Sequence, residues 1–513
     1  MPPTTGVSIR VRLLKGPKPG HPTWELAWQV FLVLVVAGLV YWPFLGFSGF
    51  AFSEGQRVFP GWEMARHGDW FLPRLLGQPY LRKPPGMPWA EALASILFGE
   101  NEFSARSVSA LAMTAASLMT FGFATRWFGR PWGLISGIAY ALTPLFWLSP
   151  TSPIGRSAEI EALHNFFVEA SMLVAIELLV RRPRGWAGAG WCTVFAASLF
   201  GMAMVKGPAG LPCVGGAVIG ACVAVRSARP LRSAWAWGGV AAAACALGVV
   251  AWRIWVRVHQ LSEPPVMEPA TRFLWREDVI SVLLLPLVTL AAGLPSSMAL
   301  LLSLWRGGAR RDDVERALVW TCLVSLAIYT AVGVSNNRYA MPAITILPVL
   351  WAPVVRRHFE RPPASRPLLD RVLMNRPLAW GLVVLVGSFV SMAYTEQRRA
   401  HRTSGEPGGV ALGEALPDGA EVWGGWLADN RPEVLYYAQR RAAELGKTIE
   451  PRWVPGIEAG EPIPPPGKFL ALTEGDGADE IERYTRSGSL AGLQEVFRGR
   501  VHKFEFRVYR NPG

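Results

Sequence analysis

The stretch FSEGQRVFPGWEMARHGDWFLPRLLGQPYLRKPPGMPW, Phe52 to Trp89, decides how the rest of the chain is read. It follows directly on an apolar run from Trp28 to Phe47, yet it carries Glu54, Arg57, Glu63, Arg66, Asp69, Arg74, Arg82 and Lys83 among tryptophans and prolines. A bilayer core of about 30 Å needs about 20 apolar residues per crossing helix, and the preceding run meets that requirement. The stretch is therefore a loop that emerges from a membrane, and its charge and aromatic surface call for a reason.

Working outward, the sequence supplies about eleven membrane-grade runs, centred near Val35, Ala115, Ile138, Leu173, Ala197, Val218, Ala244, Leu290, Leu326, Leu347 and Val386. Alternate connections are basic: the N-terminus with Arg10, Arg12, Lys15 and Lys18, then Arg126 with Arg130, RRPR at Arg181, RSARPLR at Arg226, RGGARR at Arg306 and the long segment from Arg356. The positive-inside rule places these in the cytoplasm. The connections left for the far side are Phe52 to Trp89, Pro150 to Ala158, the break at Lys206 to Pro208, Arg257 to Asp278, and Ser335 to Tyr339. An odd number of spans then puts the tail on that side as well.

Composition agrees: 51% hydrophobic and 17% charged residues with 23 tryptophans exclude an ordinary soluble enzyme of 513 residues. The net charge of +13 lies in short clusters between apolar runs, so it reads as topology and not as a nucleic-acid surface. The five cysteines, Cys192, Cys213, Cys222, Cys245 and Cys322, sit inside apolar runs without metal-ligand spacing and read as small buried hydrophobes. The first apolar run has no cleavage-site pattern and reads as an uncleaved span. Richness in Arg, Ala and Gly without an N-x-S/T sequon fits a bacterial plasma membrane.

From Thr395 the character changes to polar and turn-rich, with β-like runs AEVWGGW, GKFLALTEG and VHKFEFRVYR. The reading is an all-α polytopic membrane domain over residues 1–394, its first extracytoplasmic loop at 48–89, followed by a small soluble α/β domain at 395–513. In that tail Trp423, Trp426, Tyr436 and Tyr437 read as core rather than as glycan contacts.

A charge at mid-bilayer costs about 2.5–3.5 kcal/mol on insertion scales, so charges gathered at span ends on one side suggest a shared task. The far-side set is Glu54, Arg82, Lys83, Arg156, Glu159, Glu161, Lys206, Arg338 and Tyr339. Together they suit chemistry on an anionic lipid-linked substrate: guanidinium and ammonium groups hold a departing phosphate, and a carboxylate deprotonates an acceptor hydroxyl. Against this stand plainer readings. Arg156 and Glu159 are three apart and pair on one helix face. Glu161 then lies about 200° from Glu159, so the two share a cavity only if the span starts irregularly. Lys206 marks a turn with Gly207 and Pro208; Arg82, Arg338 and Tyr339 are interfacial anchors; Trp62, His67 and Trp70 lie on bilayer-surface helices; and His164 packs between helices.

The run SEGQRVFPGWEMARHGDWFLPRLLGQPYLRKPPGMPWAEALASILFGENEFSARSVSALA resembles the first loop and second span of the bacterial aminoarabinose transferase and protein O-mannosyltransferase group of GT-C glycosyltransferases. The likeness continues through GRSAEIEALHNFF, KGPAGLP and NNRYAMPAITILP, covering most of Ser53 to Trp351. It implies a GT-C enzyme that moves a sugar from a polyprenyl-phosphate donor to a lipid, protein or glycan acceptor on the extracytoplasmic side, with inversion and with neither a metal nor another cofactor obligatory. Carried across, it assigns Glu54 and Glu161 as catalytic carboxylates and Lys83, Arg82, Arg156, Lys206, Arg338 and Tyr339 to the donor phosphate, with the first loop as a lid over the site. The family's leading Asp is Ser53 here, so either Glu54 takes over or another acid serves. The competing readings are a flippase of lipid-linked sugars and a catalytically impaired sensor.

Overall fold

The computed structural model describes residues 22–51, 53–143, 154–261, 265–267, 279–307, 312–334, 337–360, scattered positions between 386 and 397, and in the tail 404–454, 456–457, 462–475, 478–501 and 503–513. The N-terminal basic cluster, most of the run around Val386 and the boundary at Thr395 lie outside the described residues.

The first span is α1 (Pro22–Tyr41), and the loop after it folds as α2 (Glu54–His67), a hairpin β1 (Arg74–Leu75) and β2 (Gln78–Leu81), and α3 (Gly86–Phe98); β3 (Val266–Met267) comes later in the chain and pairs in parallel with β2. The membrane domain continues with α4 (Glu102–Phe128), α5 (Arg130–Ala141), α6 (Ile160–Ile176), α7 (Gly185–Lys206), α8 (Leu211–Val225), α9 (Ala234–Val258), α10 (Val279–Ala292), α11 (Ser296–Gly307), α12 (Asp313–Ala331), α13 (Asn337–Ala340) and α14 (Trp351–Glu360). Seven stretches of described helix are long and apolar enough to cross a membrane, and the pair α10 and α11, bent by 103°, adds an eighth if it is one span. The runs expected separately at Ala197 and Val218 lie in one stretch, Gly185–Val225, interrupted by the 3-10 turn Gly207–Gly210. The run at Ile138 is the 12-residue α5, too short to cross alone.

Local chemistry sets these boundaries. Asn101 caps α4 by accepting from the Ser104 amide, and Asp312 caps α12 by accepting from Glu315. Small residues let helices approach: a Cβ on Gly216 of α8 would stand 2.8 Å from the Thr321 carbonyl of α12. Cys213 and Cys322 are buried as expected, whereas Cys245 is exposed on α9, which turns Val249, Trp252 and Trp255 outward to where lipid lies.

The two ends of the membrane domain differ. At one, Glu177 accepts from Arg126 at 2.7 Å and from the Trp127 indole at 2.7 Å, and Arg357 pairs with Glu315. Glu161 begins the same span as Glu177 and lies about 24 Å away along the helix axis, at the end that carries the first loop.

The tail forms a six-stranded sheet in the order β5–β4–β6–β9–β8, with β7 beside β6. Its strands are β4 (Ala420–Gly424), β5 (Ile449–Trp453), β6 (Phe469–Gly475), β7 (Ala478–Asp479), β8 (Gln494–Val501) and β9 (Phe504–Arg510). The three β-like runs of the sequence are β4, β6 and β9. β4 is parallel to β5 and β6, and β9 is antiparallel to β6 and β8. Helices α15 (Glu406–Ala415), α16 (Trp426–Asn430) and α17 (Pro432–Glu444) pack against it.

This unit shares its core with the first loop. Phe50, Val58, Phe59 and Trp62 form one apolar cluster with Leu412, Val434 and Tyr437. Trp62 is therefore 1% exposed and packed edge-on and tilted among Phe50, Phe59 and Tyr436, not spread on a bilayer as its aromatic character suggested. The Tyr437 hydroxyl donates to Glu102 at 2.7 Å and accepts from the Phe50 amide at 2.7 Å, and Gly405 donates to the Phe50 carbonyl at 3.1 Å.

Beneath it lies the fully buried Arg106, whose guanidinium donates to the carbonyls of Leu45, Ser48 and Gly49 and to both carboxylate oxygens of Glu54, at 2.7–3.0 Å. Removing one partner from such a buried pair costs about 3–5 kcal/mol, while an exposed pair contributes at most about 1 kcal/mol. Arg106→Met is therefore expected to lower the thermal midpoint of the detergent-solubilised protein far more than Arg66→Ala, which removes the exposed pair of Arg66 with Glu100; equal shifts would contradict the anchoring role of Arg106.

Candidate active site

The irregular helix start that the sequence required does occur. Glu159 is extended, with φ −110° and ψ 156°, and caps α6, which begins at Ile160. Freed from helical register, its carboxylate turns to the first loop and accepts from the Ser53 hydroxyl at 2.6 Å. Glu161, inside the first turn, accepts from Lys206 at 3.2 Å. Arg338 and Arg57 act electrostatically on both carboxylates. One arrangement thus joins Ser53 and Arg57 of the first loop, both acids of α6, Lys206 of α7 and Arg338 of α13.

Each contributor is placed by local structure. Lys206 is the last residue of α7, where Gly207 adopts φ +62°, a conformation that an L side chain rarely takes, and the chain turns. Its ammonium stands 4.2 Å from the centroid of the Tyr339 ring, a cation–π contact that fixes both. Arg338 and Tyr339 sit on α13, just before a 3-10 turn, Met341–Ile344, with Pro342 in its first turn. Lys83 is half-buried, and its segment lies against the end of α7: a Cβ on Gly86 would stand 2.6 Å from the Met204 carbonyl.

Three residues assigned to the site from sequence are used elsewhere. Glu54 is 1% exposed, and besides Arg106 it accepts from the amides of Ala51 and Ala158, both at 2.9 Å. Its oxygens are saturated by donors, so it is a structural anchor and not a base. Arg82 pairs with Asp429 at 2.6 Å and lies over the rings of Tyr80 and Trp453, so it docks the C-terminal unit. Arg156 is fully buried and faces Glu396 at 3.7 Å and the Pro43 carbonyl rather than Glu159.

Sequence reasoning set Glu159 aside on helical register and named Arg57 only among the charges of the first loop. It also read His164 as a satisfied packing residue. In the structure His164 and Asn165 are buried, and His164 Nε2, both Asn165 amide atoms and Glu161 Oε2 lack hydrogen-bond partners among the described residues. No cluster of three or more His, Cys, Asp or Glu that could hold a metal ion occurs among the described residues.

Burial, and then the negative charge of Glu161, raise the Glu159 carboxyl above the ordinary carboxylate range; Arg57, Arg338 and the Ser53 hydroxyl pull it back. The arrangement can thus hold an anion among three cations beside a carboxylate that accepts protons readily.

Comparison with known proteins bears on the family and the fold. A family profile described as dolichyl-phosphate-mannose-protein mannosyltransferase matches residues 82–255. The chain is 31% identical over 147 residues, 28% of its length and 26% of the relative's, to an undecaprenyl phosphate-alpha-4-amino-4-deoxy-L-arabinose arabinosyl transferase 2 of Sodalis glossinidius. It is 25% identical over 313 residues, 58% of its length and 53% of the relative's, to the corresponding transferase of Edwardsiella ictaluri. These matches span from about a quarter to about half of the relatives' length. The fold is that of ArnT from Cupriavidus metallidurans: the apo crystal structure superposes with a TM-score of 0.66 at 17% identity, covering 94% of this chain and 98% of that one. The structure bound to undecaprenyl phosphate gives 0.65 at 16% identity, covering 95% and 98%. Sequence and fold alike thus support the resemblance to the GT-C aminoarabinose transferase group.

The Ser53–Glu159 bond has a direct signature. Ser53→Ala removes a donor that favours the carboxylate, so Glu159 should release its proton at higher pH. Infrared difference titration, with the protonated-carboxyl band assigned by its loss in Glu159→Gln, is expected to show that band persisting to higher pH in Ser53→Ala; an unmoved band would contradict the contact.

Proposed function

We propose that this multi-pass membrane protein is a glycosyltransferase that moves a sugar from a polyprenyl phosphate to an acceptor hydroxyl at the membrane face carrying the first loop and the C-terminal unit. The observation that carries this reading is the convergence of Arg57, Lys206, Arg338 and Tyr339 on the paired acids Glu159 and Glu161 at a span end. Arg126 and Arg181, paired with Glu177 at the opposite end, support an extracytoplasmic reading of this face under the positive-inside rule, in a bacterial plasma membrane.

The chemistry is a single displacement. The acceptor oxygen attacks the anomeric carbon as the bond from that carbon to the phosphate oxygen breaks, and the electron pair leaves with the polyprenyl phosphate. Lys206, Arg338 and Arg57 stabilise the charge that grows on the departing oxygen, with Lys83 beside them. Glu159 takes the acceptor proton. Attack opposite the leaving group inverts the anomeric centre. Glu161 holds Lys206 in place, and Tyr339 supports the same ammonium from its ring face.

The impaired-enzyme reading rested on Ser53 standing where the family has an acid. Glu159 accepts from that hydroxyl at 2.6 Å, so a carboxylate from another segment stands beside the position, which supports an active enzyme. The relatives' names point to two donor types, undecaprenyl phosphate-linked aminoarabinose and dolichyl phosphate-linked mannose. Between a pentose and a hexose, and among lipid, protein and glycan acceptors, this reading leaves the choice to assay.

The test is turnover in nanodiscs with undecaprenyl-phosphate-linked sugars and extracted envelope acceptors, followed by release of undecaprenyl phosphate. Glu159→Gln should lower turnover by about 10²–10⁴-fold, and Lys206→Met should weaken donor binding, while Arg82→Ala leaves donor binding unchanged. No release with any donor, or full turnover in Glu159→Gln, would overturn the proposal.

A further inference from the structure

The contact between Ser53 and Glu159 has a chemical side that the displacement leaves unused. Ser53 is the N-cap of α2, with φ −94° and ψ 9°, and a serine in that position ordinarily turns its hydroxyl oxygen toward the amides of the first turn. This one makes no side-chain cap bond; its Oγ donates instead to Glu159 Oε1 at 2.6 Å. A hydroxyl that donates to a neighbouring base is the arrangement that activates a serine as a nucleophile. Ser53 is half-buried and Glu159 is 3% exposed, so little water competes for the bond.

The displacement needs an acceptor hydroxyl within hydrogen-bonding reach of the base, about 2.6–3.2 Å. With Glu159 as that base, Ser53 Oγ already stands in such a position, and an acceptor hydroxyl must share the carboxylate with it or displace it. Arg57, one turn along α2 from Ser53, and Arg338 act electrostatically on the same carboxylate, so the serine hydroxyl and cations of the donor phosphate site converge on one group. A nucleophile held by the chain also outcompetes one that must diffuse in: effective molarities of well-oriented intramolecular groups reach about 10⁵–10⁸ M. A donor bound without an acceptor therefore meets the enzyme's own serine first.

Resting on the transferase reading, we infer that Ser53 is a site of self-glycosylation, labelled from the polyprenyl-phosphate donor when no acceptor occupies the site. Ser53 Oγ attacks the anomeric carbon as the bond from that carbon to the phosphate oxygen breaks; the electron pair leaves with the polyprenyl phosphate, and the hydroxyl proton passes to Glu159. The product is a seryl glycoside. It has no phosphate leaving group, so it persists, and it leaves a sugar beside Glu159 where the acceptor has to stand. The modification thus closes a site that holds donor but lacks acceptor.

The experiment incubates the full-length protein in nanodiscs with undecaprenyl phosphate-linked 4-amino-4-deoxyarabinose or undecaprenyl phosphate-linked mannose, with and without extracted envelope acceptors. It reads intact mass, the mapped position of any added sugar, and released undecaprenyl phosphate. Without acceptor, the donor that supports turnover should add a single glycosyl unit to the chain, mapped to Ser53. Excess acceptor should suppress the label, Ser53→Ala should abolish it, and Glu159→Gln should slow it by about 10²–10⁴-fold. Mapping on the native chain needs no variant. Turnover with acceptor but no label on Ser53, label confined to other residues, or label that forms as fast with acceptor present would overturn the inference with the transferase reading intact. No release of undecaprenyl phosphate from either donor, with or without acceptor, would overturn the transferase reading and this inference together.

Discussion

The arrangement depends on the buried pair between Arg106 and Glu54. Arg106 enters from the start of α4 and binds three backbone carbonyls of the segment leaving the first span, together with both oxygens of the acid that opens α2. Glu54 in turn accepts from the Ala158 amide, next to the cap of α6. One ion pair therefore ties together the end of the first span, the first loop, the second helix of the membrane domain and the start of α6. An uncompensated charge at that depth costs several kcal/mol, so these segments have little freedom to separate. The consequence for chemistry is positional: Ser53, immediately before the anchor, stands over Glu159.

The C-terminal unit reinforces this anchor. Tyr437 bridges Phe50 and Glu102, Gln56 donates to the Asp429 carbonyl at 2.6 Å, and Arg82 reaches Asp429. The loop is thus held between a membrane domain and a sheet domain rather than resting on lipid. Toward the acid pair it contributes Ser53 and Arg57, and in the proposed mechanism the base is supplied by the cap of α6. On the proposed mechanism an acid at a helix cap serves as well as one in the loop, because the carboxylate's position relative to the cations matters and its place in the chain does not.

Much of this was legible from sequence because a membrane penalises charge. Glu161, Lys206, Arg338 and Tyr339 stand out at the ends of apolar runs, and the structure brings them together. The strands β4, β6 and β9 were legible from β-branched and aromatic runs between turns, whereas β5 is interrupted by Pro451 and β8 carries Glu495, Arg498, Gly499 and Arg500 among its apolar residues, and both were missed. Partner identity was not legible. Arg106 reads as an ordinary charge near a span start until Glu54 is seen against it, and Arg82 as an interfacial anchor until Asp429 arrives from the far end of the chain. Glu159 was set aside because register arguments assume that the helix includes the residue, and a cap does not obey them.

The most direct test of the central claim, that distant cations and acids build one phosphate site at this face, is a cryo-EM structure of the protein in nanodiscs with undecaprenyl phosphate. The account predicts the lipid phosphate within hydrogen-bonding distance, about 2.7–3.2 Å, of Lys206 and Arg338, beside Glu159 and beneath the first loop. A phosphate bound instead at Arg82 or Arg156, or at the opposite end near Arg126, would contradict it.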